Sequence, residues 1–219
     1  DHVIRLMDPG TGEELRKFSG HSGWITCLDF HPGGAAFVSG GWDRTLRLWQ
    51  ISGEGDPVVF RGHAGYVTCV AWAPDGKDFI SGSWDGSIRR WDPATGKETR
   101  RYGDPRGLVT KVSLERRRVT EKDESTGDEE ARRLGFKQVP VEHTKFVYKA
   151  MVTSLSWKGD RILSGDNGNL VLLWDARKEE AIDCFAAHRD AVTAVAFDAS
   201  GKGFVSAGED GLGYLHALR

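Results

Sequence analysis

A ten-residue stretch at positions 40–49, GGWDRTLRLW, returns 42 positions later at 82–91 as GSWDGSIRRW. The flanking residues repeat with it, because a Gly-His pair followed by a short β-rich run occupies both 20–28 and 62–70. A fixed period of this length indicates that a chain is assembled from copies of one supersecondary unit. The internal repeat therefore constrains the fold more strongly than any local pattern does.

Each copy contains short apolar runs that are separated by turns rich in Gly, Pro and Asp. In the first complete copy the predicted strands are 25–30, 36–40, 45–50 and 58–60. Runs of this kind at spacings of about ten residues predict four-stranded antiparallel sheets. The composition agrees with many turns joined by aromatic-rich strands, since the 219 residues include 28 Gly and 8 Trp.

The repeats predict one domain spanning 1–219. Its units are expected at approximately 1–20, 21–60, 61–102, 103–148, 149–187 and 188–219, of which the first and last are partial. The unit at 103–148 is degenerate, because Asp-Pro replaces Gly-His and the segment 116–135 is highly charged. Alternating charges are not readily buried, so 116–135 is predicted to be an exposed insertion. An interaction or phosphorylation segment at Ser125 and Thr126 is the alternative.

The combination of Gly-His, Ser-Gly-x-Trp-Asp and a Trp six residues after the Asp resembles the WD-repeat family. The resemblance covers nearly the whole chain and implies an all-β fold, a WD-repeat β-propeller of four-stranded antiparallel blades. Counting strands, we expect about five blades of a seven-bladed ring, with a complete small propeller as the alternative. Because Asp1 aligns within a repeat, we expect a portion of a longer protein, or a processed one, that does not close into a ring alone.

The resemblance further implies a buried hydrogen-bonded tetrad of His, Ser, Asp and Trp in each blade. The residues at these positions are His21, Ser39, Asp43 and Trp49, then His63, Ser81, Asp85 and Trp91, then Ser164 and Trp174, then His188, Ser206 and Asp210. Gly168 replaces the Asp of one set and His216 replaces the Trp of another. Buried polar groups need partners, and sets that recur in several copies favour a structural role over a nucleophilic triad.

In this architecture the loop before each inner strand and the turn bearing the tetrad Asp lie on the same rim. The rim residues are Trp24, Tyr66, Leu108, Met151 and Ala191 from the loops, and Trp42, Trp84, Asn167 and Glu209 from the turns. Turns do not require large aromatic residues, so Trp42 and Trp84 are candidate partner contacts. The alternative is that these rings shield the tetrads or pack on the neighbouring blade.

Net charge, apolar runs and cysteine spacing give no sign of a nucleic-acid, membrane or metal site. The net charge of −2 makes no global electrostatic case for nucleic acid, and no run of 18 apolar residues is present. Without CxxC or His-x-x-x-His spacing, Cys27, Cys69 and Cys184 are expected to be buried small side chains, and no metal or cofactor is expected.

The sequence therefore favours a non-catalytic scaffold that holds other proteins within a larger assembly. We expect an intracellular location, cytoplasmic or nuclear, and no membrane as a partner. One alternative is a ribosome- or RNA-associated scaffold that uses a basic patch, formed by Arg47, Arg89, Arg90, Arg100, Arg101 and Arg106. Another is a ligand-binding or enzymatic propeller that uses the central channel.

Overall fold

The structure is a computed structural model that describes residues 2–53, 55–103, 111–118, 136–143 and 150–218, with the backbone alone for 111–118 and 136–143. These described ranges contain nineteen β-strands and no helix. The strands are β1 (Val3–Met7), β2 (Glu14–Ser19), β3 (Ile25–Phe30), β4 (Ala36–Gly41), β5 (Thr45–Gln50), β6 (Val58–Arg61), β7 (Val67–Trp72), β8 (Phe79–Ser83), β9 (Ile88–Asp92), β10 (Lys97–Tyr102), β11 (Lys111–Arg118), β12 (Phe136–His143), β13 (Val152–Lys158), β14 (Arg161–Asp166), β15 (Val171–Asp175), β16 (Ala181–Phe185), β17 (Val192–Phe197), β18 (Gly203–Gly208) and β19 (Gly213–Ala217).

The chain divides into two compact units. The smaller unit, Leu108–Phe146, contains the antiparallel pair β11–β12, with Lys111 opposite His143 and Arg118 opposite Phe136. The predicted charged insertion begins inside β11, because that strand continues through Arg118, and residues 119–135 lie outside the described residues. That 103–148 is a degenerate repeat of a single domain stays a prediction.

The larger unit, Asp1–Gly107 with Val147–Arg219, contains antiparallel sheets in chain order. We name them sheet A (β3–β6), sheet B (β7–β10), sheet C (β13–β16) and sheet D (β17–β19), preceded by the pair β1–β2. Sheets A, B and C have four strands each and sheet D has three. The all-β fold built from four-stranded antiparallel blades is thus confirmed.

Aromatic residues on the fourth strand of one sheet pack across the next sheet. Phe18 of β2 meets Phe37 edge-on at 4.9 Å between ring centroids, and Phe60 of β6 meets Phe79 of sheet B in the same way. Phe185 of β16 repeats the contact with Phe204 of sheet D, again at 4.9 Å. Edge-to-face pairs of this kind add about 0.5–1.5 kcal/mol beyond the burial of their area.

On the inner strands of sheets A, B and C, a threonine hydroxyl is hydrogen-bonded to a valine carbonyl of the next sheet. Thr26 donates to Val67 across sheets A and B, 41 residues apart in the chain. Thr68 donates to Val152 across sheets B and C, although 84 residues separate them. Because the same bond occurs at twice the usual separation, sheets B and C are direct neighbours in the larger unit.

The first and last sheets are separate in the described part of the chain, because β1–β2 and β17–β19 share no strand pairing. One face of sheet D exposes Leu215 and Val205, with 81% and 49% of their surfaces accessible. The corresponding residues of sheet A, Leu48 and Val38, are buried against sheet B. The number of blades in the ring, and whether it closes, stay predictions.

Candidate functional site

In sheet A the four predicted tetrad residues form one continuous chain of hydrogen bonds. His21 Nδ1 lies 2.8 Å from Asp43 Oδ2, and its Nε2 lies 2.8 Å from Ser39 Oγ. Trp49 donates its indole N–H to the same Ser39 oxygen at 2.8 Å. Since a carboxylate can only accept, neutral His21 donates from Nδ1, and its Nε2 accepts the Ser39 hydroxyl hydrogen. Every polar group in the set therefore has a partner.

Sheet B repeats this arrangement with the same atoms. His63 Nδ1 lies 3.0 Å from Asp85 Oδ2, and its Nε2 lies 2.8 Å from Ser81 Oγ. Ser81 also accepts the Trp91 indole N–H at 2.8 Å. The side chain of His63 is fully buried, and Ser81 is inaccessible to solvent. A hydroxyl in this position cannot meet a substrate, which argues against a nucleophilic role.

A fifth side chain joins each of these two sets. Thr45 donates its hydroxyl to Asp43 Oδ1 at 2.8 Å, and Ser87 donates to Asp85 Oδ1 at 2.6 Å. The sequence reasoning missed both residues, although a hydroxyl two positions after the Asp in each copy was a usable signal. The hydroxyl hydrogen bond gives the second carboxylate oxygen a donor, and it links two residues of the same turn.

Burial and hydrogen bonding act in opposite directions on the ionisable members. Burial lowers the pKa of His21 and of His63 below 6.5, and their aspartate partners offset this effect only in part. Burial would raise the pKa of Asp43, but hydrogen bonds from Thr45 and His21 outweigh it, so its net pKa is lowered. The pKa of Asp85 is lowered for the same reasons. Neutral histidine and charged aspartate are therefore the stable forms at neutral pH.

Sheet C keeps one half of the tetrad and replaces the other. Trp174 donates to Ser164 Oγ at 2.8 Å, as in sheets A and B. Gly168 occupies the Asp position, and the buried Asp166 two residues earlier accepts the N–H groups of Gly168 and Leu170 at 2.8 and 3.0 Å. Asp166 was not singled out from the sequence, where nothing distinguished it from other turn acids. Tyr148, at the His position, lies outside the described residues.

In sheet D two histidines flank one serine. His188 Nε2 lies 2.8 Å and His216 Nε2 lies 3.1 Å from Ser206 Oγ, while His188 Nδ1 lies 3.1 Å from Asp210 Oδ1. The His216 ring stacks on Phe204 with centroids 4.3 Å apart. Histidine thus takes both the position and the donor function that tryptophan has in the other sheets, while burial lowers its pKa.

Four aromatic residues of the predicted rim form a continuous stack, which we call the aromatic ladder. The ring centroids of Trp24 and Trp42 lie 4.6 Å apart. Trp42 stacks on Tyr66 with centroids 4.8 Å apart and an angle of 6° between the ring planes. The Tyr66 centroid in turn lies 5.0 Å from that of Trp84. The ladder crosses from sheet A to sheet B. Its outer surface is accessible, because 61% of Trp24, 37% of Trp42 and 45% of Trp84 remain exposed.

A backbone hydrogen bond joins the two rim segments of each sheet. Trp42 N–H donates to the Trp24 carbonyl at 2.8 Å, and Trp84 N–H donates to the Tyr66 carbonyl at 3.0 Å. The same bond occurs in the other two sheets, where Asn167 donates to Met151 and Glu209 donates to Ala191. The structure therefore brings loop and turn together in sheets A to D, but among the described rim residues it stacks aromatic rings only between sheets A and B. Leu108 lies outside them.

No metal centre is indicated by the part of the chain that the structure describes, and two of the three cysteine thiols are held in their neutral form by burial. There, no three His, Cys, Asp or Glu side chains are grouped so that they could hold a metal ion. Burial raises the pKa of the Cys27 thiol to about 12 and raises that of Cys69 as well. In the same described ranges, no helix has the length and hydropathy needed to cross a lipid bilayer.

Comparison with known proteins identifies the repeated unit. The family model described as WD domain, G-beta repeat matches residues 12–50, 57–92 and 179–215. The chain is 46% identical over 52 residues to the serine-threonine kinase receptor-associated protein of Gallus gallus, covering 24% of this chain and 15% of that protein. It is 47% identical over 55 residues to the nuclear distribution protein PAC1 of Arthroderma otae, covering 25% of this chain and 12% of that protein.

A third relative shows the same partial coverage. The periodic tryptophan protein 2 homolog of Neurospora crassa is 46% identical over 48 residues, covering 22% of this chain and 5% of that protein. The aligned segments thus span a small share of these relatives and correspond to repeats rather than to whole proteins. With family matches over more than half of its residues and the repeated four-stranded sheets, the chain belongs to the WD-repeat family.

Proposed function

We propose that this chain is a non-catalytic scaffold that presents the aromatic ladder to protein partners within a larger assembly. WD repeats imply a protein-interaction role in general. The observation that carries the specific proposal is the exposed stack of Trp24, Trp42, Tyr66 and Trp84. A contiguous exposed apolar patch is unusual on a free surface and is typical of an interaction site.

The chemistry of the ladder suits partner binding. Tryptophan and tyrosine are enriched among the residues whose truncation costs most at protein interfaces. In the ladder each ring is already held by its neighbours, so binding a partner would immobilise little additional side-chain motion. The alternative, that these rings only shield the tetrads, is disfavoured because Trp24 and Trp84 keep about half of their surface accessible.

Three of the six arginine residues of the predicted basic patch favour protein over RNA as the partner. Arg89 is buried and paired with Glu98, Arg90 is paired with Asp78, and Arg101 also binds Glu98. Guanidinium groups that are already paired with carboxylates are poorly placed to neutralise phosphates, which supply most nucleic-acid affinity. The ribosome- or RNA-associated scaffold therefore remains the second candidate. It would be recognised by binding that weakens steeply with salt.

The tetrads argue against the enzymatic alternative. Each Ser-His-Asp set recurs in equivalent positions of sheets A, B and D, and its serine is buried. We therefore assign these sets a structural role. An intracellular location, cytoplasmic or nuclear, is part of the same proposal and is in keeping with relatives whose names refer to nuclear distribution and to association with a kinase receptor.

The proposal is tested by affinity purification with a double variant, Trp42→Ala with Trp84→Ala. We expect each substitution to weaken partner binding by about 1–2 kcal/mol, so that partners are lost or strongly reduced. Ile182→Ala is the matched control, since Ile182 is an apolar side chain of β16 that is 55% exposed and outside the ladder. Full retention of every partner by a folded double variant would contradict the proposal.

A further inference from the structure

Three repeats carry an arginine at the same position of their third strand. Arg5, Arg47 and Arg89 follow one another at intervals of 42 residues, and each is followed nine residues later by an acid. The acids are Glu14, Asp56 and Glu98. The pattern predicts that each arginine forms an ion pair with the acid of its own fourth strand.

Two of the three pairs form. Arg5 Nε lies 3.3 Å from Glu14 Oε2, and Arg89 Nη1 lies 2.6 Å from Glu98 Oε2. Both acids belong to the fourth strand of their repeat, β2 and β10 respectively. Glu98 is held from its other side by Arg101, whose Nε lies 2.8 Å from Glu98 Oε1. The position beside the third-strand arginine is thus a carboxylate site in these two copies.

The guanidinium groups of Arg47 and Arg89 occupy equivalent places. An ideal Cβ on Gly20 would lie 2.8 Å from Arg47 Nη1, and one on Gly62 would lie 2.7 Å from Arg89 Nη1. Both side chains therefore pass over the glycine that precedes the tetrad histidine. The carboxylate that binds Arg89 therefore indicates the kind of group that fits beside Arg47.

Arg47 lacks the acid that Arg89 has. The strand β6 begins at Val58, so Asp56 lies before it in an exposed segment and forms no ion pair among the described residues. Within those residues Arg47 Nε is buried without a hydrogen-bond partner. A buried donor that loses water and gains no acceptor is costly to the folded state. In sheet B the corresponding Nε donates to Ser87 Oγ, whereas Glu98 binds the Nη1 atom. Among the described residues the Nη atoms of Arg47 have no hydrogen-bond partner either, so the position that Glu98 occupies in sheet B is vacant in sheet A.

The neighbouring charges have the same sign. Arg61 lies opposite Thr45 in the β5–β6 ladder, and Arg44 precedes that threonine in the turn. Neither arginine has an ion pair in the described part of sheet A, whereas Asp43 is already bound by His21 and Thr45. The three arginines of this sheet thus favour an acidic ligand.

We propose that Arg47 is a binding site for a glutamate or aspartate side chain of a protein partner. The ligand class follows from the equivalent positions, where the group bound to the arginine is in both cases a glutamate carboxylate. An arginine fork binds a carboxylate through two directed, charge-assisted hydrogen bonds. The inference deepens the proposed scaffold function by giving the chemistry of one partner contact, and it does not depend on the aromatic ladder.

The test observes the arginine side chains of the whole chain directly by NMR, through their Nε–H signals. A hexaglutamate peptide is titrated into the protein, and sodium phosphate is titrated in parallel as a small-anion probe. We expect the Arg47 signal to shift saturably with hexaglutamate and the Arg89 signal to stay in place, because Glu98 already occupies its site. Arg47→Gln should weaken peptide binding about tenfold or more, the loss typical of one charge-assisted hydrogen bond.

Glu98→Ala provides a matched gain of function, since it vacates the equivalent site in sheet B. In this variant the Arg89 signal should begin to respond to hexaglutamate. A response of Arg47 to phosphate without any response to hexaglutamate would mean an adventitious ion only and would overturn the proposal, as would an Arg47 signal that neither probe moves. This experiment measures only the NMR signal of Arg47, so a negative result does not bear on partner binding by the aromatic ladder. That role is tested separately, by affinity purification with the Trp42→Ala, Trp84→Ala double variant.

Discussion

His63 and Asp85, 22 residues apart in the chain, are joined by a hydrogen bond of 3.0 Å in which both side chains are almost completely buried. The same carboxylate accepts the Ala64 N–H at 2.8 Å and the Ser87 hydroxyl at 2.6 Å. One aspartate therefore ties the loop before β7 to the turn after β8. Sheets A and D contain the same bond, so this pair ties loop to turn in three of the four sheets A to D.

The first prediction removes this carboxylate. Asp85→Ala leaves the His63 Nδ1–H and the Ala64 N–H without their acceptor, and buried unsatisfied donors cost about 1–3 kcal/mol. We expect a loss of that size in the free energy of unfolding, measured by urea denaturation. Asp75→Ala is the control, because Asp75 is an exposed turn residue whose ion pair with Lys77 is largely solvated. Equal midpoints for Asp85→Ala and the parent would disprove the proposed role of the tetrad.

The second prediction concerns acid. In the folded state the pKa values of His21 and His63 lie below the ordinary value of 6.5, so the unfolded chain binds more protons once the pH falls to that value. Stability should therefore be fully present above about pH 7 and decrease below pH 6.5, by up to about 1.4 kcal/mol per pH unit for each histidine. Urea unfolding at pH 7.5, 6.5 and 5.5 measures this. Identical free energies at pH 7.5 and 5.5 would contradict the assignment of neutral, buried imidazoles.

The lowered pKa values of Asp43 and Asp85 affect stability in a separate and more acidic pH range. A carboxyl whose pKa is depressed on folding stabilises the protein above its ordinary value of 3.8 and loses that contribution as the pH falls below it. The histidine and aspartate effects are therefore separable by pH. NMR titration of the histidine ring protons assigns the upper window to His21 and His63.

A third prediction concerns the backbone of the tetrad turn. Arg44 has a φ of 64°, whereas the equivalent positions in sheets B and D are Gly86 and Gly211, each with a φ of 75°. A non-glycine residue in this left-handed region destabilises the folded state by about 1–2 kcal/mol. Glycine avoids this strain, but it also increases the conformational entropy of the unfolded chain, which offsets part of the gain. Arg44→Gly should therefore stabilise by roughly 0.5–1 kcal/mol. The reverse change, Gly86→Arg, is expected to destabilise, and a stabilising effect would contradict the explanation.

A fourth prediction concerns the contact between sheets B and C. An ideal Cβ on Gly82 would lie 2.5 Å from Val152 Cγ1, with the Cys69 Sγ atom almost as close, so the glycine is required by the approach of the next sheet. Gly82→Ala should lower the free energy of unfolding by about 1–3 kcal/mol, the usual cost of overpacking. Gly213→Ala serves as the control, because its nearest neighbour is a carbonyl oxygen at an ordinary 3.7 Å. A cost for Gly82→Ala no larger than for Gly213→Ala would argue against direct packing of sheets B and C.

The repeated part of this structure could be read from the amino-acid sequence. The strands predicted at 25–30 and 45–50 coincide with β3 and β5. The residues of the complete tetrads were assigned from the resemblance to the WD-repeat family, which was carried over onto the repeated positions, and they are hydrogen-bonded in sheets A and B. These features depend on alternation along a strand and on turns of fixed length. Both are local properties that a period of 42 residues repeats, so the sequence determined them.

Other features depended on contacts between residues far apart in the chain. Nothing in the sequence around Thr68 indicates that its hydroxyl reaches Val152 in sheet C, because the neighbour of a sheet is chosen by packing rather than by order in the chain. Asp166 likewise resembled any turn acid until its burial and its two backbone donors were visible.

The aromatic ladder and the vacancy at Arg47 were decided in the same way. The sequence placed Trp42 and Tyr66 on one rim, but only the approach of sheets A and B stacks their rings at 4.8 Å. The spacing of Arg47 and Asp56 predicted an ion pair, yet the acid lies outside β6 and the pair does not form among the described residues. Spacing along the chain determines which side chains share a face, whereas the distance between two sheets determines which of them meet.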